Sequence, residues 1–113
     1  PVCGDWANAV SDFQREAAAW AAASPEIPAG QWSPEQKALN HEVVPVMTRF
    51  ANRLLALGSR SGNAVWQDFA DLSAIYRFAY VEAIPTYMPA DKHLTIASMR
   101  LSGIVNSACK ALD

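Results

Sequence analysis

The chain has 113 residues, of which 51% are hydrophobic and 18% are charged, and its formal net charge is −2. This composition supplies the core of one domain, residues 1–113, and excludes a disordered chain. The dispersed charges exclude the basic patch of a nucleic-acid-binding protein, and the longest charge-free apolar stretch is too short to cross a bilayer.

The first predicted helix covers residues 5–24. Asp5 is the predicted N-cap, and Ser24 ends the helix because a residue that precedes a proline avoids helical dihedral angles. Apolar residues at alternating spacings of four and three form one helical face, and they are Trp6, Val10, Phe13, Ala17 and Trp20.

The second predicted helix covers residues 34–58. Ser33, Pro34 and Gln36 form the pattern of a capping box with a proline in the first turn. Pro45 predicts a kink or a split near residue 44, and Gly58 predicts the C-terminal stop. The apolar stripe of this helix comprises Leu39, Val43, Val46, Phe50, Leu54 and Leu57.

The third and fourth predicted helices cover residues 63–84 and 91–112, with Asp91 as a possible N-cap. The predicted core stripe of the third comprises Val65, Phe69, Leu72, Tyr76, Ala79 and Ala83, and its apolar face is widened by Trp66, Ile75 and Tyr80. That of the fourth comprises Leu94, Ala97, Leu101, Ile104 and Ala108. Four helices joined by short connectors predict an all-α, up-down-up-down four-helix bundle, with both chain ends at one end and two proline-rich loops at the other.

Cys3 and Cys109 are the only cysteines, and the predicted bundle brings them to the same end. We predict one disulfide that ties the two termini, which implies an oxidising, extracytoplasmic compartment. Two free, buried thiols in a cytosolic protein are the alternative. The CxxC spacing typical of zinc sites and redox pairs is absent, so neither a metal nor a redox function is predicted.

The sequence carries no catalytic motif, so we predict that the chain is not an enzyme and holds no cofactor. Neither histidine has a second histidine at helical spacing, and the HExxH and G-x-S-x-G motifs are absent. Arg49 and Arg53 could bind an anion, although two solvated side chains on an outward face are the simpler interpretation. A haem site would draw on ligands without any spacing signature, which are His41, His93, Tyr76, Tyr80 and Tyr87.

Aromatic residues in the two proline-rich loops are the candidate binding residues. Trp32 stands before the second helix, and Tyr87 and Met88 occupy the equivalent place before the fourth. One interpretation is an exposed patch that binds a partner. The alternative is a hydrophobic cap that seals this end of the bundle.

Four segments, "CGDW", "QWSPEQ", "AIPTYMPAD" and "ACKALD", resemble those of mycobacterial and other actinobacterial extracytoplasmic helical domains. The resemblance implies a disulfide-tied helical fold of unknown function, often preceded by a membrane anchor and a linker. It assigns no functional residue to this chain.

These features predict a non-enzymatic, extracytoplasmic interaction module from a secreted or membrane-tethered protein. Its partner would be a protein or another component of the cell envelope, and any membrane contact would run through a segment absent from this chain. A carrier of a small apolar ligand or of haem, held between the helices, is the alternative.

Overall fold

In a computed structural model, which describes residues 2–112, the chain folds into an elongated helical bundle measuring 45 × 21 × 19 Å. The α-helices are α1 (Val2–Glu16), α2 (Ala18–Ala22), α3 (Pro34–Arg60), α4 (Ala64–Ala83) and α5 (Lys92–Leu112). Short 3-10 turns occupy Ala29–Gln31, Ile84–Thr86 and Pro89–Asp91. Helix α4 packs extensively against α3 and α5, whereas α1 packs mainly against α3. The predicted all-α bundle is therefore confirmed.

The predicted first helix is interrupted and begins earlier than residue 5. Helix α1 starts at Val2, so Asp5 lies inside it and pairs with Arg60 at 2.7 Å instead of capping the helix. The interruption lies at Ala17, whose dihedral angles (φ −96°, ψ 7°) depart from the helical values. The interruption separates α2 from α1. In α2, the Trp20 Nε1 donates to the Tyr80 hydroxyl at 3.2 Å.

Helix α3 begins as the sequence predicts and ends later. The Ser33 hydroxyl accepts from the Gln36 amide, and the Gln36 side chain accepts from the Ser33 amide, which completes the capping box. The helix runs unbroken through Pro45, whose side chain is exposed, and continues past Gly58 to Arg60. The turn into α4 instead uses Gly62, which has a positive φ of 68°.

Gly58 is needed for the close packing of α3 against α4. A Cβ atom added at Gly58 would lie 2.7 Å from the Ala70 Cβ on α4. Glycine at this position therefore permits the close approach of the two helices and does not end α3.

We expect Gly58→Ala to lower the free energy of unfolding by about 1–2 kcal/mol, because the free-energy cost of overpacking exceeds the gain from the higher helix propensity of alanine. Gly103→Ala is the matched control, since it lies inside α5 and its added Cβ would meet no atom within 4 Å. The control should gain about 0.5–1 kcal/mol. Urea denaturation of both variants measures the difference, and equal values would contradict the proposed role of Gly58.

The buried face of α4 differs from the predicted stripe. Val65, Leu72 and Tyr76 are exposed, and Ile104 on α5 is exposed as well. Trp66 and Tyr80, which the sequence places on the wider apolar face, are buried as predicted, whereas Ile75 is exposed. The face that packs into the bundle consists of Trp66, Ala70, Ser73, Ala74, Arg77 and Tyr80. Small residues there let neighbouring helices approach, so α4 turns its larger aliphatic side chains outward.

The predicted disulfide joins Cys3 to Cys109, and their Cα atoms are 5.5 Å apart. The bond ties α1 to the last part of α5 at the end of the bundle that also holds Trp6 and Trp66. This confirms the disulfide and the predicted return of the last helix beside the first. Within residues 2–112, none of the helices is both long and apolar enough to span a bilayer.

Candidate functional site

The two proline-rich loops meet at the end opposite the disulfide. The Ala29 amide donates to the Tyr87 carbonyl at 2.8 Å, and the rings of Trp32 and Tyr87 lie 5.7 Å apart. The Trp32 Nε1 donates to the Ile27 carbonyl at 2.9 Å. The topology therefore brings together the loop residues that the sequence singled out.

Tyr87 faces inward and Met88 faces outward. Tyr87 is only 3% exposed, its hydroxyl donates to the Pro25 carbonyl at 2.7 Å, and burial raises the pKa of this tyrosine to about 12. Met88 is 55% exposed, and Trp32 is half-buried. The burial of Tyr87 fits the end-cap interpretation, and partner binding by these three residues stays a prediction.

A cleft of about 790 Å³ runs between the α1–α2 segment and α5, and we call it the α1–α5 cleft. Its wall is largely apolar, with Val10, Phe13, Trp20 and Met99 among its large side chains. A smaller cavity of about 300 Å³ shares Trp20 and Met99 with it and extends to the Trp32–Tyr87 pair. The volume of the cleft lies in the range of small-molecule sites, which is about 300–1,000 Å³.

Arg77 from α4 lines the α1–α5 cleft at the centre of the bundle. Its guanidinium carbon lies 4.6 Å from the centroid of the Phe13 ring and 5.5 Å from that of Phe50. The Nε donates to the Ser98 hydroxyl at 2.9 Å, whereas the buried Nη1 has no hydrogen-bond partner among the described residues. Desolvation lowers the pKa of Arg77 to about 10, which still leaves it protonated at neutral pH.

Three buried serines, Ser73, Ser98 and Ser102, form a hydrogen-bonded group around the bond from Arg77 to Ser98. The Ser98 hydroxyl donates to the Ser73 carbonyl at 2.8 Å, and the Ser102 hydroxyl donates to the Ser98 carbonyl at 2.7 Å. Sequence analysis missed this polar group. The available signal was the spacing of four residues in the pairs Ser73/Arg77 and Ser98/Ser102, which places each pair on one helical face.

The other candidate residues do not form a site. Arg49 and Arg53 pair with Glu16 and Asp12 of α1, and the Arg53 hydrogen bond lowers the pKa of the Asp12 carboxyl. These arginines therefore serve the α1–α3 contact.

The residues considered for haem are dispersed. Tyr80 and Tyr87 are buried with ring centroids 5.9 Å apart, whereas His41, His93 and Tyr76 are exposed. Among residues 2–112, no group of three or more His, Cys, Asp or Glu side chains is arranged to hold a metal ion.

The outward face of α4 forms a second feature, which we call the α4–α5 surface. Val65, Leu72 and Tyr76 are spaced by seven and four residues, so they share one helical face. Ile75 adjoins them, and Ile104 is exposed on α5, which packs against α4. Val65 is the most exposed of these side chains, at 64%.

These features define a small all-α domain with a disulfide between its ends, a ligand-sized cleft and an apolar outer surface. The chain belongs to the family described as mycobacterial ESX-1 associated protein, whose family model matches residues 1–113. A relative from Mycolicibacterium smegmatis, an uncharacterized protein, is 52% identical over 111 residues. This match covers 98% of the chain but 29% of the relative, and no solved structure matches the chain significantly. The mycobacterial resemblance of the sequence is thereby confirmed.

Proposed function

We propose that this domain is an extracytoplasmic interaction module that works with the ESX-1 secretion system and binds a protein partner through the α4–α5 surface. The observation that carries the proposal is the exposure of large apolar side chains on two helices that pack together, namely Val65, Leu72, Ile75 and Tyr76 on α4 and Ile104 on α5. Exposed apolar patches of this kind mark protein interaction sites.

Two further observations support the proposal. The family description links its members to ESX-1, and a secretion system is an assembly of proteins that must recognise one another. The Cys3–Cys109 disulfide favours an oxidising compartment, because structural disulfides are rare in the cytosol. The α4–α5 surface is offered instead of the Trp32–Tyr87 end because Tyr87 is buried there.

The test introduces Leu72→Ser and Tyr76→Ser together into the full gene product in a mycobacterial host. Both side chains are exposed, so the melting temperature of the domain should stay nearly unchanged. Loss of two central apolar contacts should weaken partner binding by about tenfold or more. Export of ESX-1 substrates into the culture medium, measured by immunoblotting, should fall accordingly.

Met88→Ser is the matched control, because Met88 is an exposed apolar side chain at the other end of the molecule. It should leave export unchanged. If Met88→Ser alone impairs export, the proline-rich loops are the partner surface. If deletion of the whole gene leaves export unchanged, the link to ESX-1 is wrong.

A further inference from the structure

We propose that the α1–α5 cleft binds a long-chain carboxylate, with the alkyl chain along the apolar wall and the carboxylate on the guanidinium of Arg77. The site is separate from the α4–α5 surface, so the proposal stands or falls independently of the proposed function.

The charge of Arg77 is not balanced by an ion pair among the described residues. This side chain is 2% exposed. Buried charges in proteins are normally paired, because burial removes their hydration. The Phe13 and Phe50 rings and the Ser98 hydroxyl solvate the cation only in part, which leaves the Nη1 hydrogens free to meet an anion.

The lining of the cleft indicates the chemistry of its ligand. Among the described residues that line it, Arg77 alone carries a charge, and its large side chains are mainly apolar. A ligand that matches this wall has one anionic group and a long apolar part. A peptide segment fits less well, because the uncharged polar side chains of the described lining are Ser11, Gln14, Ser102 and Asn106, too few for all the amides and carbonyls of an extended backbone.

The length of the cleft also fits an alkyl chain. The lining extends along the first two helices from Ala7 to Ala22, a helical length of about 22 Å at 1.5 Å per residue. Beyond Trp20 and Met99 the cleft adjoins the smaller cavity near Tyr80 and Tyr87. A long, narrow groove with a cation in its inner wall suits a linear alkyl chain.

Access to Arg77 depends on the α1–α2 segment, which forms one wall of the cleft. The interruption at Ala17 lies in this wall, and α1 packs less extensively against α5 than against α3. A small outward movement of the α1–α2 segment therefore opens the path to the guanidinium without unfolding the bundle.

The test compares binding of dodecanoate, 1-dodecanol and acetate to the oxidised protein by isothermal titration calorimetry. Dodecanoate should bind at least about tenfold more tightly than the alcohol, as expected for one charge-assisted hydrogen bond, and acetate should not bind measurably. Arg77→Met keeps the contact with the phenylalanines and removes the charge. It should abolish the preference for the acid while the alcohol still binds.

A second pair of variants locates the site without touching Arg77. Gly103→Phe places a ring in the cleft, where an added Cβ meets open space, and should abolish binding of both the acid and the alcohol. Gly4→Phe, on α1 and outside the cleft, should leave both affinities unchanged.

Three results would overturn the proposal. The first is wild-type protein that binds dodecanoate no better than the alcohol. The second is full binding in Gly103→Phe. The third is an unchanged acid preference in Arg77→Met. If Arg77→Met does not fold, the wild-type acid preference and the glycine pair still decide the outcome. An acidic amphipathic peptide that binds where dodecanoate does not would assign the cleft to a protein segment instead.

Discussion

Replacing both Cys3 and Cys109 with alanine is expected to lower the free energy of unfolding by about 4–5 kcal/mol. The disulfide spans a sequence separation of 106 residues, so it closes almost the entire chain and restricts the unfolded state strongly. Native proteins of this size are stabilised by only about 5–15 kcal/mol, so the loss approaches the whole stability of a marginal domain. Guanidinium chloride denaturation of the variant beside the oxidised wild type measures the difference.

The reduced wild-type protein is the control for this prediction. Like the double variant, it lacks the bond, so the two proteins should have similar free energies of unfolding. Unlike the variant, it keeps both sulfur atoms. A loss below about 1 kcal/mol in both proteins would mean that packing holds the two ends together without the bond. Alkylation of the protein from intact cells adds a test of compartment, because thiols that react without prior reduction would contradict the extracytoplasmic location that we propose.

The parts of the fold that could be predicted from the sequence depend on local chemistry or on topology. Ser33 and Gln36 form a capping box through hydrogen bonds between neighbours, so no distant residue is needed to predict it. The meeting of Cys3 with Cys109, and of Trp32 with Tyr87, follows from antiparallel helices joined by short connectors. The topology of the bundle is therefore sufficient to predict that these residues meet, without knowledge of the side-chain packing.

The buried face of α4 could be predicted only in part, because this helix is apolar on more than one side. Val65 and Leu72 fit a helical stripe, and so do Trp66 and Ala70 on a different face. Periodicity gives both stripes and cannot choose between them. The choice is made by tertiary contacts, above all the close approach of Gly58 to Ala70, which requires small residues on the packed face.

The α1–α5 cleft could not be predicted from the sequence. Trp20 was predicted as part of a straight core stripe, and the interruption at Ala17 carries no proline or glycine that would signal it. Arg77 resembles a solvated charge in sequence, since arginine is seldom buried. Its burial depends on Phe13 and Phe50 from two other helices, which are distant along the chain.

Trp6→Ala is expected to lower the free energy of unfolding by about 3–5 kcal/mol. Trp6 is 0% exposed, and its ring meets that of Trp66 edge-on with centroids 4.8 Å apart. Its Nε1 donates to the Ser102 carbonyl at 3.3 Å, so the truncation leaves a cavity and a buried carbonyl with one partner fewer. Urea denaturation of the oxidised variant measures the loss.

Trp20→Ala is the matched control for this prediction, since Trp20 is half-buried beside the α1–α5 cleft and its loss should cost clearly less. Equal losses would contradict the view that the core is centred on Trp6.

Trp6→Ala in the protein without the disulfide tests whether Trp6 and the disulfide stabilise the fold cooperatively. Trp6 and the disulfide both hold α1 onto the bundle at one end. The free energy of unfolding lost when both are removed should therefore differ from the sum of the two separate losses, as is usual for neighbouring sites. Strict additivity would mean that α1 is held by two independent contacts, each of which keeps its full effect when the other is removed.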